Sequence, residues 1–308
     1  LSALVSPLPN ASWGRLAQEF LSSRHDPSLL RVFVNTALGE PWRPEEDAGP
    51  DEGDLVSRCE DIGLENVPAE VVLLTCGCDI QDDRVEVSTI GFDRIGTVYV
   101  LEHAILYGRP LDEKDDVWAD LSDHLRRRFQ HPKGGTLAID ATVIDASDGD
   151  SYNQVLAFCQ ARHGKRVLAG KGAAGMSRPP LTIAKKTRRG GRLHIIGVDP
   201  LKSRVFGMLA SPGRIIRFSR SLAGGDYFDQ LLAERKVTRM VRGRPIVRFE
   251  RRQGARSEAL DCLAYGLAAR AALTLDLDAR EKELRQETLS SPPARKPPEV
   301  IRSNWMGR

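Results

Sequence analysis

The apolar run 71–79, Val71-Val72-Leu73-Leu74-Thr75-Cys76-Gly77-Cys78-Asp79, has the pattern of a strand covered on both faces. Residues 85–92 alternate and predict a second strand, with Asp82-Asp83 as the turn between them. A third strand runs over 97–107, so the three form an antiparallel meander. The period then becomes helical over 112–130, where Val117, Leu121, His124, Leu125 and Phe129 recur on one side. A short strand, 136–139, ends at Asp140, and a helix over 152–163 and a strand over 167–170 follow. Strand, helix, strand implies a parallel crossover. Further on come a strand at 193–198, a helix opened by Asp199-Pro200, a strand at 215–218, a short helix from Asp226, a hairpin around Gly243 and a helix over 257–275. The class is α/β, a mixed sheet flanked by helices.

Outside this core the pattern weakens. Residues 11–38 carry helical signals, and 41–66 are acidic and rich in Pro and Gly. Residues 1–66 are therefore read as a helical linker segment with an acidic loop, 67–275 as the main domain, and 276–308, charged and Pro-rich, as a flexible tail. The Gly-, Pro- and base-rich stretch 170–192 reads as a loop.

Charge is unevenly spread although the net value is only +3. Residues 45–65 hold nine acids against Arg58, whereas 236–256 hold eight bases against Glu250. Lys185, Lys186, Arg188, Arg189 and Arg192 make a second basic block. Such blocks suit a polyanion and predict phosphate contacts from these residues and from Arg248, Arg251 and Arg252, with Lys171 also able to meet a phosphate. The five cysteines form no C-x-x-C pair and predict buried, reduced thiols. No apolar stretch reaches the length of a membrane span.

Three carboxylates stand where a site for hard divalent ions needs them. Asp79 ends the first strand, Asp140 the fourth, and Asp261 lies on the last helix, in Ser257-Glu258-Ala259-Leu260-Asp261. A carboxylate at a buried strand tip is costly unless a cation meets it, and oxygen ligands suit Mg²⁺ or Mn²⁺. Two ions about 3.5–4 Å apart would clamp a phosphodiester. Asp145 is the alternative second ligand, and Glu258, one helical turn before Asp261, a possible outer one. Each Asp alone reads equally well as a turn or cap residue.

Two acidic strand tips and a helical acid, in that order, form the layout of ribonuclease H-like nucleases. The chain resembles the nuclease region of the phage terminase large subunit, lambda-type GpA family. The similar pieces are Phe33-Val34-Asn35-Thr36-Ala37-Leu38-Gly39-Glu40-Pro41-Trp42, Cys78-Asp79-Ile80-Gln81-Asp82-Asp83-Arg84, Ala138-Ile139-Asp140, Lys171-Gly172, Tyr227-Phe228-Asp229-Gln230-Leu231 and Glu258-Ala259-Leu260-Asp261-Cys262. The resemblance implies a ribonuclease H-like mixed sheet and an endonuclease that cuts concatemeric double-stranded DNA with two Mg²⁺ or Mn²⁺ ions held by Asp79, Asp140 and Asp261. It also implies a small terminase subunit and a portal protein as partners, and the host cytoplasm as the place of action. The family protein carries an ATPase as well. No G-x-x-x-x-G-K-[ST] loop occurs here, so the chain is expected to be the nuclease part of a longer protein. Two rival readings remain: a ribonuclease H-like resolvase or transposase, and a DNA- or portal-docking module without activity.

Overall fold

A computed structural model describes residues 2–8, 11–23, 32–40, 51–184, 192–211, 215–241 and 244–290. The chain divides into two compact units, Leu1–Gly49 and Pro50–Arg308. In the first, α1 (Trp13–Ser23) contributes Leu16 to a small cluster with Phe33 and Ala37. A helical turn ends at Gly39, whose φ of 68° is the left-handed geometry that glycine adopts without strain.

The second unit opens with α2 (Glu52–Ser57), capped by Asp51, whose side chain accepts from the Asp54 amide at 2.7 Å. Residues 51–66 depart from the expected acidic loop: Leu55 and Leu64 are buried, and Glu60 pairs with Arg217. Sparse apolar anchors fasten an acidic segment whose composition alone reads as linker. Residues 41–50 lie outside the described residues.

The meander is β1 (Leu73–Ile80), β2 (Arg84–Phe92) and β3 (Val98–Tyr107), antiparallel throughout. Then come α3 (Val117–Arg126), β4 (Arg128–Gln130), β5 (Thr136–Asp145), α4 (Tyr152–Ala161), β6 (Val167–Ala173), β7 (Leu181–Ile183) and β8 (Leu193–Gly197). After α5 (Val198–Ala210) come β9 (Ile216–Phe218) and α6 (Tyr227–Leu231). A two-stranded hairpin, β10 (Glu234–Val241) and β11 (Arg244–Arg251), precedes α7 (Glu258–Ala271) and α8 (Leu277–Ser290). The main sheet has nine strands in the order β7-β8-β6-β5-β1-β2-β3-β9, with β4 paired to β5. β5 and β6 run parallel to β1, next to the antiparallel meander, which is the ribonuclease H-like arrangement.

Alternation along β1 and β5 sorts their side chains between two cores. Leu73, Ala141 and Val143 pack with Leu260, Leu263 and Leu267 of α7. Cys76, Cys78 and Ile144 pack on the other face with Trp118 and Leu121 of α3 and Val155 of α4. The thiols are free, and all but half-buried Cys59 are buried.

Two further expectations need correction. The fourth strand does not end at Asp140; β5 continues through Ala141-Thr142-Val143-Ile144 to Asp145. Residues 277–290, read as part of a flexible tail, form α8, whose Leu284 is 2 % exposed in a core with Leu74 and Leu137. α8 also pairs Arg280 with Asp140 and Glu281 with Lys133 at 2.5 Å. A polar sequence with one or two well-placed leucines folds when ionic partners wait on the surface it covers. Residues 291–308 lie outside the described residues. Among the described residues, no helix is long and apolar enough to cross a membrane.

Candidate active site

Asp79 shares its face of β1 with Thr75 and Gly77, and that face meets α7. The Thr75 hydroxyl donates to the Gly266 carbonyl at 2.8 Å. A Cβ on Gly77 would stand 1.9 Å from the Cys262 carbonyl oxygen and 2.4 Å from the Gly266 nitrogen, so the helix backbone rests directly on the strand. This contact sets Asp261, the residue before Cys262, beside the end of β1.

β5 supplies the second carboxylate. The parallel ladder pairs Cys78 with Ile144, so Asp79 and Asp145 are the next residues on adjacent strands. Asp145 has the parity of Ala141 and Val143 and therefore the α7 face. Tyr265, one turn after Asp261, donates its phenolic hydrogen to Asp145 Oδ1 at 2.8 Å. The Ser147 hydroxyl donates to the same oxygen at 2.7 Å. α7 thus brings one carboxylate to the site and orients another.

The electrostatics agree with the geometry. Burial, then the charges of Asp261 and Asp145, push the Asp79 carboxyl well above its usual range. Burial also raises Asp145, with Asp261 adding to it. Among the described residues no Lys or Arg forms an ion pair with Asp79 or Asp145; Gln81 Nε2 donates to Asp79 Oδ2 at 2.7 Å. Asp261 is held differently. Lys202 Nζ lies 2.8 Å from its Oδ1, and the Ser257 hydroxyl 3.2 Å from its Oδ2. Burial alone would lower the Lys202 ammonium, but Asp261 and Glu234 outweigh it and raise it.

Beside these acids lies a buried ionic layer that the sequence reading did not find. Asp79 sits directly opposite Glu86 in the antiparallel ladder, so the two share a face. Glu86 accepts from Arg84 Nε at 2.7 Å, from His103 Nε2 at 3.1 Å and from Arg256. Burial would raise its carboxyl, but the His103 and Arg84 hydrogen bonds and the nearby positive charges hold it at about 2. Glu258 is drawn into the same layer, 3.4 Å from both Arg84 and Arg256. The signal was visible only as Glu86 alternating out of step with Val85 and Val87.

Asp140 is not part of this group. It stands five residues before Asp145, roughly 16 Å along an extended strand, at an irregularity in the ladder where Leu74 pairs with Ile139 and Thr75 with Ala141. Its Oδ2 accepts from the Leu74 amide at 3.1 Å and its Oδ1 lies 3.3 Å from Arg280 of α8. Burial raises its carboxyl, and Arg280 opposes that rise. The β-branched residues Thr142, Val143 and Ile144 were the overlooked sign that the strand continues.

The basic residues divide. Arg248, Arg251 and Arg252 are exposed on or just after β11, whose Arg251 faces Glu234. Glu234 in turn shares Lys202 with Asp261, at 2.7 Å, so the hairpin is rooted at the acidic group. Arg192 instead lies 3.1 Å from His163, beyond the end of α4, which covers the opposite face. Lys171 is exposed on β6 with the parity of Val167 and Ala169, which belong to that opposite core. Lys185, Lys186, Arg188 and Arg189 lie outside the described residues.

Three carboxylates on one face, two of them raised by burial and mutual repulsion, are a donor set suited to a hard divalent cation. Among the described residues, no three His, Cys, Asp or Glu side chains already close into an ion-binding group. Asp79, Asp145 and Asp261 are each turned toward a protein hydrogen-bond partner.

Such a fold, a mixed sheet flanked by helices, is of the ribonuclease H-like class. Residues 1–283 match the family model described as terminase large subunit gpA, endonuclease domain, and the chain belongs to that family. It is 29% identical over 296 residues to the terminase large subunit of Enterobacteria phage P21, covering 91% of this chain and 45% of that protein. It is 28% identical over 298 residues to the terminase large subunit of Escherichia phage lambda, with the same coverage. The chain therefore spans about half the length of these curated relatives. A similar solved structure is the g2p large terminase nuclease domain of bacteriophage SPP1 with bound Mn, at 12% identity and a TM-score of 0.34, covering 72% of this chain and 92% of that one.

Proposed function

We propose that this chain is a divalent-metal-dependent endonuclease that hydrolyses double-stranded DNA during viral genome packaging, with Asp79, Asp145 and Asp261 as its metal-binding carboxylates. The observation that carries the reading is the meeting of these three acids on one sheet face. Asp145 takes the role first assigned to Asp140, and Glu258 is proposed as an outer ligand that Arg84 and Arg256 now hold.

Divalent ions bound there, Mg²⁺ or Mn²⁺ and two in number, would neutralise the phosphodiester and make water a nucleophile near neutral pH. The protein's own part is positional. Tyr265 and Ser147 aim Asp145, Gln81 orients Asp79, and Lys202 with Ser257 fixes Asp261. The exposed arginines of the hairpin would follow phosphates without reading bases. Cutting of concatemers, delivery to the cut site by a small terminase subunit, and docking on a portal protein belong to the same proposal, and the curated large-subunit relatives support it.

The test is Mn²⁺ titration by calorimetry together with plasmid cutting. Saturable Mn²⁺ binding and metal-dependent nicking or linearisation are expected, both lost in Asp79→Asn. No saturable binding by the unaltered protein would sink the nuclease reading and favour a docking module. Preference for four-way junctions over plain duplex would favour a resolvase.

A further inference from the structure

Lys202 is a buried cation that the proposed reaction does not require as a ligand. It is 7 % exposed, on α5, and its ammonium lies 2.7 Å from Glu234 Oε1 and 2.8 Å from Asp261 Oδ1. Glu234 is the first residue of β10. Phe206, four residues after Lys202 and hence on the same stripe of α5, stacks on Phe249 of β11 with ring centroids 5.6 Å apart and planes at 18°. One side of a single helix therefore grips the hairpin at two points and Asp261 at a third.

We propose that Lys202 is a positioning residue: its ammonium, shared between Asp261 and Glu234, fixes the Asp261 carboxylate against the root of the basic hairpin. The inference rests on the nuclease reading above. Two carboxylates brought this close, Glu234 buried and Asp261 partly so, need a cation between or beside them. Lys202 supplies that charge at Asp261 Oδ1, and so holds this carboxylate in place before any ion arrives. Removing the ammonium leaves Asp261 facing Glu234 uncompensated, and a divalent ion at the carboxylates restores positive charge to the same group. Loss of Lys202 should therefore make folding stability depend more on metal. It should also misplace Asp261 for chemistry without altering the hairpin surface that meets DNA.

The experiment uses the full chain with Lys202→Met and the double variant Lys202→Met/Glu234→Gln. Melting is followed in EDTA and in saturating Mn²⁺, and cutting of a short duplex is resolved into kcat and KM. Lys202→Met should melt lower than the unaltered chain in EDTA and gain more from Mn²⁺. Its kcat should fall about tenfold or more, as for other groups that orient metal ligands, with KM for DNA within about twofold. The double variant removes the unpaired Glu234 charge. It should recover melting in EDTA while kcat stays low, and it carries the test if the single variant does not fold. Equal Mn²⁺ gains in the single variant and the unaltered chain, or full kcat in the double variant, would overturn the assignment while the nuclease reading stands. Absence of Mn²⁺ binding and cutting in the unaltered chain would overturn both.

Discussion

Asp79 and Asp145 stand on neighbouring parallel strands, each one residue beyond the paired Cys78 and Ile144, and their side chains rise from the same face. Asp145→Asn should therefore reduce cutting by more than the roughly 10–100-fold that an orienting partner costs. Asp140→Asn should cut at nearly the unaltered rate and lose about 1–2 kcal/mol through its Leu74 and Arg280 contacts. Plasmid cleavage beside chemical denaturation decides this. An inactive but folded Asp140→Asn would restore Asp140 to the site.

Tyr265→Phe removes the hydroxyl that donates to Asp145 and little else. Mn²⁺ affinity or kcat should fall roughly 10–100-fold, with the melting temperature nearly unchanged. Calorimetric titration of Mn²⁺ reads the effect directly, and an unaltered affinity and rate would mean that Asp145 is aimed by something else.

Glu86 should make the fold acid-sensitive in a defined window. Its carboxyl is held at about 2 in the folded state against an ordinary 4.5. A depressed folded value contributes stability that is present above about 4.5 and is lost as pH falls through about 2. The difference is worth on the order of 3 kcal/mol. Glu86→Gln should thus be destabilised at pH 7, and its deficit relative to the unaltered chain should shrink between pH 4.5 and pH 3. A deficit that does not change with pH would contradict the ionic account.

Gly77→Ala should displace α7 from β1, because the added carbon meets helix backbone at 1.9 Å. Overpacking against backbone costs about 3 kcal/mol or more. Gly207→Ala on α5 has open space around the new carbon and should instead gain up to about 1 kcal/mol. Thermal melts of the two variants should move in opposite directions.

Replacing Arg248, Arg251 and Arg252 by Ala should weaken DNA binding alike for all sequences. Each lost phosphate contact should reduce the slope of log affinity against log salt by about 0.9. A salt slope that stays the same would place the phosphate path away from the hairpin.

Much of this protein is legible in its sequence. The meander, the parallel crossover and helix α7 follow from the spacing of apolar residues, because a strand or helix with one or two buried faces must repeat its hydrophobic residues at that element's own period. Asp79 and Asp261 could be singled out because a carboxylate inside an apolar run is costly and so conspicuous. Tertiary structure decided the rest. Which acid joins them turns on where β5 stops, and a five-residue error along an extended strand is a distance of roughly 16 Å. Glu86, Arg84 and Arg256 come together from β2 and the turn before α7, and Lys202 of α5 meets Asp261 and Glu234; no local pattern encodes a pairing between charges as much as 170 residues apart. The folding of 51–66 and of α8 likewise depends on partners far along the chain. Apolar periodicity is a property of each segment alone, whereas the meeting of charges is a property of the packed whole.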